Sequence, residues 1–121
     1  MLDISFYSKN GDAREIVEIA EDFYKSLCES DFSKIGKSVP RILTIDDEKV
    51  KLEVVQLTKK NRQKLKMLFL EGIADESDRV IAMLGSSPSK QEVHRMTSRL
   101  AQLQELRKCI DDDRYQFMQR V

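Results

Sequence analysis

Gly36-Lys37-Ser38 is the first run in this chain with a chemical precedent, because Gly-Lys-Ser closes the loops that cradle nucleotide phosphates. Such a loop needs another glycine five residues before Gly36, and Asp31 stands there. It also needs a strand before and a helix after, whereas helical periodicity precedes Gly36 and Val39-Pro40 follows it. The segment reads as an ordinary loop. Ser87-Pro88-Ser89-Lys90 has the Ser-x-x-Lys spacing of serine acyl enzymes, but no Ser-Asp-Asn or Lys-Thr-Gly partner accompanies it. His94 is the only histidine, so paired-histidine metal sites are excluded and any Ser-His or Cys-His couple must run through that residue.

Three acidic clusters invite a divalent cation: Asp46-Asp47-Glu48, Asp75-Glu76-Asp78 and Asp111-Asp112-Asp113. None has the spacing of a calcium loop, and they read as a turn, a helix cap and a solvated face. No metal, cofactor or catalytic residue is expected. Lys59, Lys60, Arg62, Lys64 and Lys66 place five bases in eight residues, the charge a polyanion would need. The run holds no aromatic ring on which a base could stack. Nucleic acid therefore stays a secondary expectation.

The strongest interaction signal is apolar. Val93, Met96, Leu100, Leu103, Arg107, Ile110, Arg114, Phe117 and Val121 recur in alternating steps of three and four, a heptad phase carrying two arginines. Leu100, Leu103, Ile110 and Phe117 would be the anchors of a helix-to-helix seam, with Arg107 and Arg114 setting its register. The seam would join two copies of the chain or the chain and another protein.

The elements that must position these residues follow from periodicity and caps. Leu2, Ile4 and Phe6 alternate with polar residues as in a short strand. Asp12 with Glu15 forms a capping box for a helix reaching about Ser30, along Ile16, Ala20, Phe23 and Leu27. Arg41–Ile45 and Val50–Val55 form a hairpin about Asp46-Asp47-Glu48-Lys49. Thr58 caps a helix to about Gly72, and Asp75 caps another that stops at Gly85. Ser89 and Glu92 cap the last helix, expected over 89–119, whose weak point is Asp111-Asp112-Asp113 because aspartate is a poor helix former. The expected class is α+β: a small three-stranded sheet in β-α-β-β order, then a helical C-terminal half. One domain is expected, with residues 1–57 as its sheet part and 58–121 as its helical part.

Composition bounds the rest. With 121 residues, 40% hydrophobic and 35% charged, the chain has enough apolar material to fold without a staple. Cys28 and Cys109 are far apart and read as free thiols. No run approaches the ~20 apolar residues of a membrane span, and Met1-Leu2-Asp3-Ile4-Ser5 lacks the features of a secretory leader, so a cytoplasmic location is expected. The net charge of zero hides a polarity. Residues 1–31 hold eight acids and three bases, and residues 32–66 hold four acids and ten bases. Such contact-range patterning suits a protein partner better than a uniform polyanion. The expected function is a non-enzymatic interaction or regulatory module, self-associating as a homodimer through its C-terminal helix. An immunity or antitoxin-like protein that neutralises a toxin is the first alternative, and a nucleic-acid binder using residues 59–66 the second.

Overall fold

A computed structural model describes residues 2–120. The chain begins as expected, with Leu2–Ser8 forming strand β1, and then departs from expectation. Residues 14–19 are not helical: Arg14–Ile19 is a second strand, β2, antiparallel to β1 with Ile4 opposite Val17 and Leu2 opposite Ile19. Ile16, Val17 and Ile19 are β-branched, and burying Val17 and Ile19 on one face satisfies a period of two as well as a helical one. The helix α1 starts only at Glu21 and runs Glu21–Glu29. Asp12 belongs to the β1–β2 turn instead. It accepts a hydrogen bond from the Ser8 hydroxyl, which in turn accepts one from the Ala13 N–H.

A 3-10 turn (Asp31–Lys34) leads to β3 (Ser38–Ile45) and β4 (Glu48–Gln56). Their two-residue turn puts Asp46 and Asp47 at φ 51° and 65°, the doubly left-handed geometry that matches strand twist. Thr58 caps the next helix as expected, accepting from Asn61 N–H at 3.1 Å. That helix, α2, is continuous over Lys59–Leu84. Gly72 does not end it; a Cβ there would stand 3.1 Å from Leu103 Cδ2, so the glycine marks a close helix–helix approach. Ser89 and Glu92 form the expected capping box of α3, Lys90–Asp111.

The helix expected to reach residue 119 stops at Asp111. Tyr115–Gln119 is instead a fifth strand, β5. It lies in the middle of a five-stranded antiparallel sheet of order β2-β1-β5-β4-β3, with Phe6 opposite Met118 and Val55 opposite Met118 on the other side. The α+β class stands, but the three-stranded β-α-β-β arrangement is corrected. The C-terminal half supplies the central strand, so the sheet part does not end at residue 57.

One face of the sheet carries Ile4, Phe6, Val17, Ile19, Val55 and Met118, buried together with α1, α2 and α3 residues such as Phe23, Phe69 and Leu106. The other face has a smaller cluster of Tyr7, Leu43, Val54 and Phe117. Gly11, at φ +76°, lies where a Cβ would overlap the Thr44 carbonyl. The end of β3 therefore touches the β1–β2 turn, and the β3–β4 hairpin contributes Leu43 and Val54 to this second cluster. No helix among the described residues is long and apolar enough to cross a membrane.

Candidate functional site: the two faces of helix α2

The residues singled out by sequence do not converge. Leu103 and Ile110 are 2% and 0% exposed and face the chain's own core. Phe117 is 5% exposed in β5, with the Arg41 guanidinium 5.0 Å from its ring centre. Leu100 is half-buried on α3. Arg107 is tied to Asp111 at 3.1 Å and to Gln104 at 3.0 Å. Arg114 lies in the α3–β5 link, bonded to Asp112 at 2.8 Å. The expected seam is therefore cut in two: its first half is partly core, Arg114 and Phe117 are loop and strand, and Val121 lies outside the described residues. A strand inserted between β1 and β4 cannot also present a helical face.

The basic run is divided as well. Arg62 donates to the carbonyls of Ile110 at 2.7 Å and Tyr115 at 2.5 Å, and Lys66 pairs with Asp111 at 3.0 Å. Lys59, Lys60 and Lys64 alone of the five are fully exposed. Gly36, of the phosphate-loop tail, has φ +72° and its carbonyl accepts from Arg120 Nη2 at 3.3 Å. Burial pulls the Arg120 pKa down from its ordinary value, and the side chain also holds the Phe32 and Ile35 carbonyls. That loop is a structural junction. His94 is exposed, and no group of three or more potential metal-ligating side chains occurs among the described residues.

What sequence reasoning missed lies on α2. Its outward face carries Met67, Leu70, Ala74, Ser77, Ile81 and Leu84 in steps of 3, 4, 3, 4 and 3. Four of these are large apolar side chains left exposed, Ile81 at 70% and Leu84 at 60%. This is an a/d stripe that no described residue of the chain covers. Its order is large-large-small-small-large-large, the same read from either end. The outer part of the α2–α3 hairpin, residues 77–102, contains no buried residue at all.

The inward face of α2 carries Leu65, Phe69, Gly72 and Glu76 at the same spacing, and the last of these is the exception. Glu76 is a carboxylate 6% exposed where the stripe calls for an apolar side chain. Its Oε1 accepts from Arg79 at 3.2 Å and lies 3.9 Å from Arg99, while Oε2 is buried with no hydrogen-bond partner among the described residues. Arg99 crosses from α3 to α1, pairing with Asp22 at 2.8 Å with its guanidinium 5.7 Å from the Phe23 ring centre. That hydrogen bond holds the Asp22 carboxyl below the usual carboxylate range. Glu76 lines a cavity of about 400 Å³ between α1, α2 and α3, whose apolar wall is Phe23, Leu27, Leu68 and Leu103. The other charged groups on its lining are Asp31, Glu71, Asp75 and Arg79.

Compared with protein-family models, with curated proteins and with solved structures, this chain gives no significant match.

Proposed function

We propose that the chain acts through protein–protein contact rather than catalysis, as a homodimer joined through the outward stripe of α2. The observation that carries this reading is the symmetry of the stripe. A two-fold axis between Ala74 and Ser77 lays Met67 against the partner's Leu84 and Leu70 against the partner's Ile81, in an antiparallel helix pair. The two small residues at the centre let the helices approach closely, and the large ones at both ends form the seam. An isologous contact needs one patch that complements itself, and a palindromic stripe has that property. With Leu103, Ile110 and Phe117 committed to the protomer's own core, α2 replaces the C-terminal helix as the contact element.

Sedimentation equilibrium tests the reading. The wild-type chain should run at twice its 14.1 kDa mass. Leu70→Glu combined with Ile81→Glu should run as a folded monomer with an unchanged circular dichroism spectrum, since both side chains are exposed. A wild-type chain that stays monomeric at its solubility limit overturns the dimer.

A further inference from the structure

The fold regroups the basic middle of the sequence. Arg62 and Lys66 are tied inside the protomer, but the loop before β3 returns two lysines to the start of α2. Gly36 packs on the first turn of that helix, where a Cβ would stand 2.9 Å from Asn61 Nδ2. Lys37 follows Gly36, and Lys34 lines one cavity with Lys64. Arg120 fixes the loop in this position through the Phe32, Ile35 and Gly36 carbonyls. Lys34, Lys37, Lys59, Lys60 and Lys64 thus lie on one surface, all of them exposed.

The surface continues onto the β3–β4 hairpin. Among the described residues β4 pairs with β5 only at Val55 and Gln56, so residues 48–54 run on with β3 as a two-stranded ribbon. Register sets Lys49 opposite Thr44, Lys51 opposite Ile42 and Val55 opposite Ser38, and alternation puts these pairs on one face. Val55 belongs to the main core, and a Cβ at Gly36 would overlap its Cγ1. Lys49 and Lys51 therefore project on the side where α2 begins, beside Ile42, which is 69% exposed.

The protomer itself does not use these charges. None of the seven lysines makes an ion pair with a described residue. The first turn of α2 has no acid, and Lys59 and Lys60 there oppose the helix dipole. The interspersed acids are Asp31, Glu53 and Glu71, while Asp46, Asp47 and Glu48 gather at the hairpin tip. Protein interfaces favour aromatic residues and arginine and are poor in lysine, the reverse of this surface. A single strand needs rings on which its bases stack, and no aromatic side chain of the chain is exposed. The backbone of a duplex needs only dispersed cations, and the major groove of DNA admits a two-stranded ribbon.

We propose that this surface binds double-stranded DNA, with Lys34, Lys37, Lys59, Lys60 and Lys64 on phosphates and the Ile42–Lys51 face of the ribbon toward the major groove. Contacts of this kind hold and orient a duplex with little dependence on its sequence. The surface precedes the outward stripe, which begins at Met67, and does not depend on the dimer.

Fluorescence anisotropy of a labelled mixed-sequence DNA duplex with the full chain tests this. The competitors are the single strand, the RNA duplex of the same sequence, polyglutamate and phosphatidylserine vesicles. The DNA duplex should bind at low salt and more tightly than any competitor. Three phosphate contacts would make its affinity fall about fortyfold between roughly 50 and 200 mM salt, and the measured fall should be at least as steep. Lys37→Glu with Lys60→Glu and Lys64→Glu should weaken binding more than tenfold, as should Lys49→Glu with Lys51→Glu. All five side chains are exposed, so circular dichroism spectra should stay unchanged. Lys108→Glu, on an exposed position of α3 away from this surface, should bind like the wild type. The proposal is overturned if the duplex does not bind at low salt, if any competitor binds as tightly, or if either lysine variant binds like the wild type.

Discussion

Arg62 shows how much one side chain carries at the residue scale. Its guanidinium spans the end of α3 and the start of β5, holding the Ile110, Asp112 and Tyr115 carbonyls at the point where helix gives way to strand. Helix C-termini leave carbonyls without partners, and the planar fork of arginine satisfies several from one position. Arg62→Ala should destabilise the fold by ~2–4 kcal/mol in urea unfolding, with Arg62→Lys recovering only part of that. A variant as stable as the wild type would remove Arg62 from this role. The two thiols make a second contrast. Burial pushes the Cys109 thiol up from its ordinary value of 9.0 to about 12, whereas Cys28 is exposed. Iodoacetamide on the native chain should label Cys28 alone, as read by mass spectrometry. The neutral Cys109 thiol is favoured in the fold, so its contribution to stability is complete below pH 9.0 and is lost as pH rises toward about 12. Urea midpoints measured across that window should fall less steeply for Cys109→Ser than for the wild type.

At the scale of elements, the Thr58 and Ser89 caps and the β3–β4 turn were legible, whereas the expected caps at Asp12 and Asp75 and the strand-or-helix choice at residues 14–19 and 115–119 were not. Thr58, Ser89 with Glu92, and the Asp46-Asp47 turn act through groups a few residues away, so their chemistry survives without tertiary context. Residues 14–19 fit helix and strand equally well by pattern, and pairing with β1 decides between them. The C-terminal segment is similar: Ile110 and Phe117 are seven apart, which suits a heptad, yet Tyr115 and Phe117 also alternate as a strand does. Asp111-Asp112-Asp113 ends the helix, and Arg62 makes the exit stable. The consequence is a strand that β1 and β4 both need. Deleting residues 115–121 should leave a chain without a cooperative thermal transition, because β1 and β4 do not pair with each other. If residues 58–121 were a purely helical part, the same deletion would shorten a helix and leave the sheet intact.

For the whole molecule, the question is which apolar surface stays uncovered once the core is complete. Leu103→Asp with Ile110→Asp, which a C-terminal seam would make a monomerising pair, falls inside the core and should unfold the protomer. The stripe from Met67 to Leu84 remains outside, and if two copies bury it their stability is linked to concentration. Thermal midpoints of the wild type should therefore rise with protein concentration, and those of Leu70→Glu with Ile81→Glu should not. The polarity along the chain also acquires a structural form. The acidic first third includes Asp22, which meets Arg99 of α3, and the basic middle contributes Arg62 and Lys66, which hold the α3–β5 junction. Opposite charges far apart in sequence thus serve partly as internal ties.

The α+β class, the β3–β4 hairpin, the Thr58 and Ser89 caps and the free thiols could be read from local chemistry, since each depends largely on neighbours close along the chain. Two things could not. The outward stripe spans Gly72, which looks like a helix end until Leu103 is seen packed against it, so the palindrome is invisible while the segment is divided. Glu76 looks like one acid of a solvated cap until α1 and α3 close over it. In both cases the deciding contacts join α2 to elements distant along the chain, and only long-range packing determines which face of a helix is covered and which is left for a partner.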